Sequence, residues 1–280
     1  MALLAGCGSG RASVPFSLYT GSLALPELTT RFRSTEDAVR GMAGILTVGL
    51  GLPLPERVGV FVYPGRLAFE RGLVLDAGLD EARAAELSGF AIGIGGRGQL
   101  LLNRGGLGVD PTAVAEREWL RLIAHELTHV AQVELAGGEG RGEQWLAEGM
   151  AEWVAFTALE RLGLDTVARR RHRATTGVLD HASLVGARLD LEVRGTPQGF
   201  TGWHMREGAL PTYQLAFLMA DYLVERRGFE RMKRYFGSFS RSWDRHRNFE
   251  VAFGTTLAGF EGDVLSRLGV TVVAGAPAPD

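Results

Sequence analysis

Residues 121–130 read Arg121-Leu122-Ile123-Ala124-His125-Glu126-Leu127-Thr128-His129-Val130, and a second run, Trp145-Leu146-Ala147-Glu148-Gly149-Met150-Ala151-Glu152-Trp153, follows. The first run holds the pattern H-E-x-x-H. On a helix four residues turn through about 400°, so His125 and His129 project within about 40° of each other, one turn apart. Two imidazoles so placed can chelate one zinc ion. Glu126 lies about 100° round the helix and can reach a water on the metal rather than the metal itself. The flanking residues are apolar nearly all round (Trp119, Leu120, Leu122, Ile123, Leu127, Val130, Val133), which predicts a buried helix. Two histidines and a glutamate in such a helix need partners, because unpaired buried polar groups are costly. Asp110 and Pro111 read as N-cap and first helical residue, and Gly137 and Gly138 as the stop.

A catalytic zinc takes three protein ligands and keeps one position open. The metzincin pattern would place a histidine at position 135, where the chain has Leu135. Instead, 18 residues separate His129 from Glu148 in the second run. The motif at 125–129, that gap and the run at 145–153 resemble the gluzincins, the thermolysin- and aminopeptidase-like zinc peptidases. More narrowly they are similar to the peptidase MA-like domain family of bacterial proteins. Looser agreement continues through Tyr213-Gln214-Leu215-Ala216, Tyr222-Leu223, Gly228 and Ala252-Phe253-Gly254, so that the resemblance spans roughly residues 35–268.

The resemblance implies an α+β fold, a gluzincin/thermolysin-like catalytic domain with an N-terminal α/β lobe, a small sheet and a helical C-terminal lobe. It implies Glu148 as third ligand of one zinc ion per chain. It places Glu152 one turn later, bonding the outer nitrogen of a ligating histidine and so fixing its tautomer. Glu126 would act as general base on water and return the proton to the leaving amine of a peptide or protein substrate. Tyr213, and after it His204, would donate to the developing oxyanion. The edge strand before the metal helix binds substrate backbone by strand addition in such enzymes; by position this is Gln99–Asn103, with Gln99, Leu101 and Asn103 as contacts. No GAMEN-like signature accompanies that strand, which reads Gly98-Gln99-Leu100-Leu101-Leu102-Asn103.

Outward from the two runs, patterning predicts an α/β half followed by a helical half. Val14–Leu23 reads as a strand or an irregular extended segment, and strands are expected at Arg57–Tyr63, Phe90–Ile94 and Gln99–Asn103, the last two joined by a turn at Gly95–Gly98. Ser34 or Thr35 caps a helix to about Val48, and shorter helices are expected near 66–71 and 80–88. Past Asp110 helices are expected at 111–136, 143–163, 165–175, 210–227, 229–239, 245–253 and 257–268. A glycine-rich joint at 137–142 divides one catalytic domain (14–270) into a 14–136 lobe and a 137–270 lobe, with a flexible segment at 1–13 and a disordered tail at 271–280. Gly93-Ile94-Gly95-Gly96-Arg97-Gly98 matches G-x-G-x-x-G, but a strand-like run follows it where a dinucleotide site needs a helix. A P-loop and a G-x-S-x-G elbow are absent.

Composition narrows the classes further. The 280 residues are 46% hydrophobic and 22% charged, ordinary for a globular chain. The net charge of −2 gives no global field to recruit nucleic acid. Lys233 is the only lysine, and the cluster Arg169-Arg170-Arg171-His172-Arg173 reads as a solvated helix face in preference to a contact for phosphate or anionic lipid. His172, His181 and His246 read as surface residues. One cysteine excludes an internal disulfide framework. Leu4-Ala5-Gly6-Cys7 resembles a bacterial lipobox, which implies lipidation at Cys7 and a cell envelope location, anchored or secreted. Only six residues precede Cys7, too few for a signal peptide, and the other readings are a frayed terminus and a cytoplasmic protein. Two rivals to the peptidase reading stand beside it. One is a non-catalytic envelope binding or assembly protein that keeps the fold; the other is a structural zinc site, which would need a fourth ligand. Oligomeric state is not legible.

Overall fold

The computed structural model of the chain describes residues 13–28, 31–107, 113–138, 142–181, 183–186 and 188–269. Four β-rich stretches form one mixed sheet: β1 (Val14–Tyr19), β2 (Arg57–Tyr63), β3 (Gly93–Gly96) and β4 (Gln99–Asn103), in the order β1-β2-β4-β3. The central pair β2 and β4 is parallel, and the outer strands run antiparallel to their neighbours. Alternation with a period of two gives the sheet two apolar faces. Val58, Val60, Leu100 and Leu102 pack with residues of α1 (Thr35–Gly44) and α4 (Ala113–Leu135). Tyr63 and Leu101 point the other way and pack with Phe69 and Leu73 of α2 (Arg66–Leu75) and Ala84 of α3 (Glu81–Ser88). The fold is therefore α+β, with helices over both faces of a small sheet.

One expectation about the sheet is corrected. Gln99–Asn103 is an interior strand, with β2 bonded on one side and β3 on the other. Leu101 and Asn103 are buried, and Gln99 donates its side-chain amide to the carbonyl of Asp76 at 3.0 Å. Gln99, Leu101 and Asn103 are thus occupied by the fold itself. The free edge beside α4 belongs to β3, which begins three residues later than expected. Its hairpin turns on Arg97 and Gly98, both at positive φ, as tight turns matched to strand twist require.

The helical half is built around α5 (Gln144–Arg161) and α9 (Ala209–Arg227), with α4 on the other side of α5. Gly149 makes the α5–α9 crossing close: a Cβ there would stand 2.2 Å from the Ala216 carbonyl oxygen. Around them lie α6 (Val167–Leu179), α7 (Leu191–Arg194), α8 (Pro197–Glu207), α10 (Phe229–Ser238), α11 (Arg245–Phe253) and α12 (Leu257–Arg267). The short α7 and α8 are additions to the expected helices. Gly199 and Gly202 make 196–207 read as loop, yet Thr196 caps α8 through Gly199 N–H, Pro197 opens it, and Phe200 and Trp203 are buried by it. One apolar cluster runs from Leu18 to Leu265 through both halves.

Gly137 and Gly138, both at positive φ, end α4. The expected cap at Asp110 with Pro111, the lipobox Cys7, the tail at 271–280 and part of the glycine joint lie outside the described residues. Among the described residues no helix is long and apolar enough to cross a membrane.

Candidate metal centre

His125 and His129 sit one turn apart on α4, and Glu148 comes from the second turn of α5, which packs along it. The His129 Nε2 and His125 Nε2 atoms are 3.1 Å apart, and Glu148 Oε2 stands 3.2 Å from the latter and 3.4 Å from the former. These three residues form a group that could hold a metal ion. All three are largely buried, and Glu126 beside them is 6% exposed.

The outer partners decide what the three atoms can do. Gln132 donates its amide to the Ala147 carbonyl at 2.9 Å, which turns its Oε1 toward His129 Nδ1, also at 2.9 Å. His125 Nδ1 stands 3.1 Å from Glu152 Oε1. Both imidazoles are thereby directed to carry their proton on Nδ1 and to present the Nε2 lone pair. Gln144 donates to Glu148 Oε1 at 2.8 Å and leaves Oε2 facing the histidines. With both imidazoles neutral, three lone-pair donors converge without a donor between them, which suits a cation.

Electrostatics agree. Burial alone raises a carboxyl, but His129 and His125 hold Glu148 well below its ordinary range. Glu152 is likewise lowered to about 2 against its burial by Arg121 and His125. Burial lowers an imidazole, yet the Glu148 and Glu152 carboxylates push His125 up to about 10, so its Nε2 holds either a proton or a cation. Positive charge on this centre is strongly favoured. The acids are held in turn. Arg121, one turn before His125, pairs with Glu152 and also binds Glu118 at 2.7 Å; Arg170 of α6 binds Glu118 at 3.1 Å and Asp165 at 2.7 Å. This alternating ladder ties α4, α5 and α6 together behind the site.

Glu126 faces β3. Burial raises its carboxyl, and the Gly95 amide donates to it. A Cβ at Gly93 would lie 2.7 Å from Glu126 Cγ, and one at Gly95 only 1.8 Å from its backbone oxygen. The G-x-G at 93–95 is therefore a close-approach device: the absence of side chains lets the edge strand lie against the helix that carries Glu126.

A cavity of about 740 Å³ opens over the group, lined among others by Gly93, Gly95, Glu126, His204 and Tyr213. The Tyr213 ring lies 6.0 Å from that of His125 and 5.9 Å from that of His204. Burial pushes the Tyr213 hydroxyl well above its usual value, so it holds its proton. Burial also lowers His204, which favours the neutral imidazole. The structure therefore brings His125, Glu126, His129, Glu148, Glu152, His204 and Tyr213 to one place, and leaves Gln99, Leu101 and Asn103 outside it. The basic cluster is corrected as well: Arg170 and Arg171 turn inward, the latter onto Asp221 with two hydrogen bonds, one of them 3.0 Å. Gln132, Gln144 and Arg121 had no part in the sequence reading. Each stands three or four residues from a ligand on its own helix, so helical spacing marks them once the ligands are known. No family model, curated protein or solved structure matches the chain.

Proposed function

We propose that the protein is a zinc-dependent peptidase of gluzincin type. The observation that carries this reading is the convergence of two Nε2 lone pairs and a carboxylate oxygen beside a fourth, non-ligating acid, Glu126, at the floor of an open cavity. Zinc suits the donor set, since imidazole and carboxylate are its usual ligands. Ligands roughly 2.0–2.2 Å from a tetrahedral centre stand roughly 3.3–3.5 Å apart, close to the observed separations. A fourth protein ligand is lacking among the described residues of the group, which favours a catalytic over a structural site.

Zinc bound there supplies a Lewis acid that acidifies a water and polarises a carbonyl. The chain's own residues do the rest. Glu126, kept 2.8–2.9 Å from where a side chain at Gly93 would begin, has an unobstructed carboxylate to take the proton of the attacking water. The same carboxyl then delivers it to the departing amine. Tyr213, protonated and close to His125, donates to the oxyanion, and His204 supports its ring. β3 offers a free strand edge along the cavity, so substrate backbone adds to β3 rather than to β4.

The test is Glu126→Gln. With zinc loaded, metal content should match the parent, while chelator-sensitive cleavage of a random peptide library should fall roughly 10²–10⁴-fold. Cleavage at the parent rate would remove the general-base assignment. A zinc-loaded parent that cleaves nothing would leave a binding protein built on the same centre.

A further inference from the structure

A second cavity, of about 540 Å³, opens off the metal cleft. His125, Glu126, His204 and Tyr213 belong to the walls of both, so a chain crossing the metal centre passes its mouth. Its floor is apolar and buried: Leu122, Phe156, Ala174 and Phe217 are between 1% and 7% exposed. The charged residues of its wall are nearly all matched. Arg121 is held by Glu118 and Glu152, and Arg170 by Glu118 and Asp165.

Among the basic residues of the wall Arg173 is the exception. It is exposed on α6, lines this cavity, and has no carboxylate partner among the described residues. Its neighbours in the cluster, Arg169, Arg170 and Arg171, all have one. An unpaired guanidinium presents a planar fork of donors suited to a carboxylate. We propose that this cavity is a specificity subsite for a peptide residue whose apolar side chain fills the floor and whose adjacent carboxylate pairs with Arg173. The assignment rests on the peptidase reading for its substrate, but not for its binding chemistry. The carboxylate can be the free C-terminus of that residue or the side chain of an acidic residue next to it.

The experiment uses the full zinc-loaded chain carrying Glu126→Gln, which should bind peptides without cutting them. Two dansylated pairs are titrated by fluorescence anisotropy: one ending in Phe acid or Phe amide, and one amidated and containing Phe-Glu or Phe-Gln. The acid member of at least one pair should bind roughly three- to tenfold more tightly. The pair that responds identifies the source of the carboxylate. Adding Arg173→Ala should bring that ratio to about one, and Arg173→Lys should keep part of it. A ratio near one from the start, a ratio unmoved by Arg173→Ala, or no binding by any peptide overturns the proposal. Cleavage by the parent chain is scored separately. Its absence, with an Arg173-dependent ratio intact, would defeat the hydrolase reading and leave the subsite standing.

Discussion

Glu143 shows how burial sets the behaviour of a single side chain away from the candidate metal centre. It precedes α5, is fully buried, and has its Oε2 3.2 Å from Arg245 Nη1. Burial pushes its carboxyl up from 4.5 to about 7, against the lowering effect of Arg245. The folded chain therefore binds this proton more tightly than the unfolded chain. The stability it contributes is fully present below the ordinary carboxyl value and is lost as pH rises toward about 7. A shift of this size corresponds to at most about 3 kcal/mol. In urea unfolding, Glu143→Gln should leave stability nearly unchanged at pH 4.5 and raise it at pH 8, flattening the profile between. An equal effect at both values would mean that Glu143 is charged in the folded state throughout. At the candidate metal centre the residue scale was largely readable, since His125, Glu126 and His129 follow from helical spacing alone. The orientation of each imidazole was not, because it depends on Gln132, which owes its own orientation to a carbonyl on another helix.

The contact between β3 and α4 is the element-scale decision on which the cavity depends. Backbone meets backbone at Gly95, where an added methyl would lie inside the Glu126 carbonyl oxygen, whereas nothing stands within 4 Å of one added at Gly96. Gly95→Ala should cost roughly 1–3 kcal/mol, as overpacking does, and should loosen metal binding by moving the strand off Glu126. Gly96→Ala should stay within about 0.5 kcal/mol of the parent. Chemical denaturation and metal retention after dialysis of the two variants check this. Similar losses in both would point to strand propensity rather than close approach. The G-x-G pattern was visible in the sequence, and the strand after it argued against a nucleotide loop. That the glycines clear space for a helix residue more than thirty positions later could not be read, since the pattern carries no information about what faces it. The helix α8 escaped for a related reason: Gly199 and Gly202 lower its local propensity, while Thr196 and Pro197 make a favourable start and burial of Phe200 and Trp203 outweighs the glycines.

At the scale of the molecule, α4, α5 and α6 are joined by the ladder Glu152–Arg121–Glu118–Arg170–Asp165, and a cation held by the candidate metal group would join α4 and α5 as well. A cation bridging α4 and α5 binds the folded state and not the unfolded one, so it should raise stability by about 2.7 kcal/mol at a free concentration 100 times its Kd. Thermal unfolding should shift upward with added zinc and return on chelation, and His129→Ala should abolish the shift. A midpoint indifferent to zinc and to chelator would remove the metal centre from the account.

What the amino-acid order determined by itself is local and periodic: the two imidazoles on one helix face, the acid offset from them, and the apolar alternation of the strands. These follow from rises and rotations along one element, which sequence spacing specifies directly. Only the tertiary structure decided which strand is the free edge, because strand order depends on pairings distant in the chain. It likewise decided that Arg121 and Arg170 are consumed within the fold while Arg173, beside a cavity, has no carboxylate partner among the described residues. Charge balance is settled by which helices meet, and the composition of one helix does not contain it.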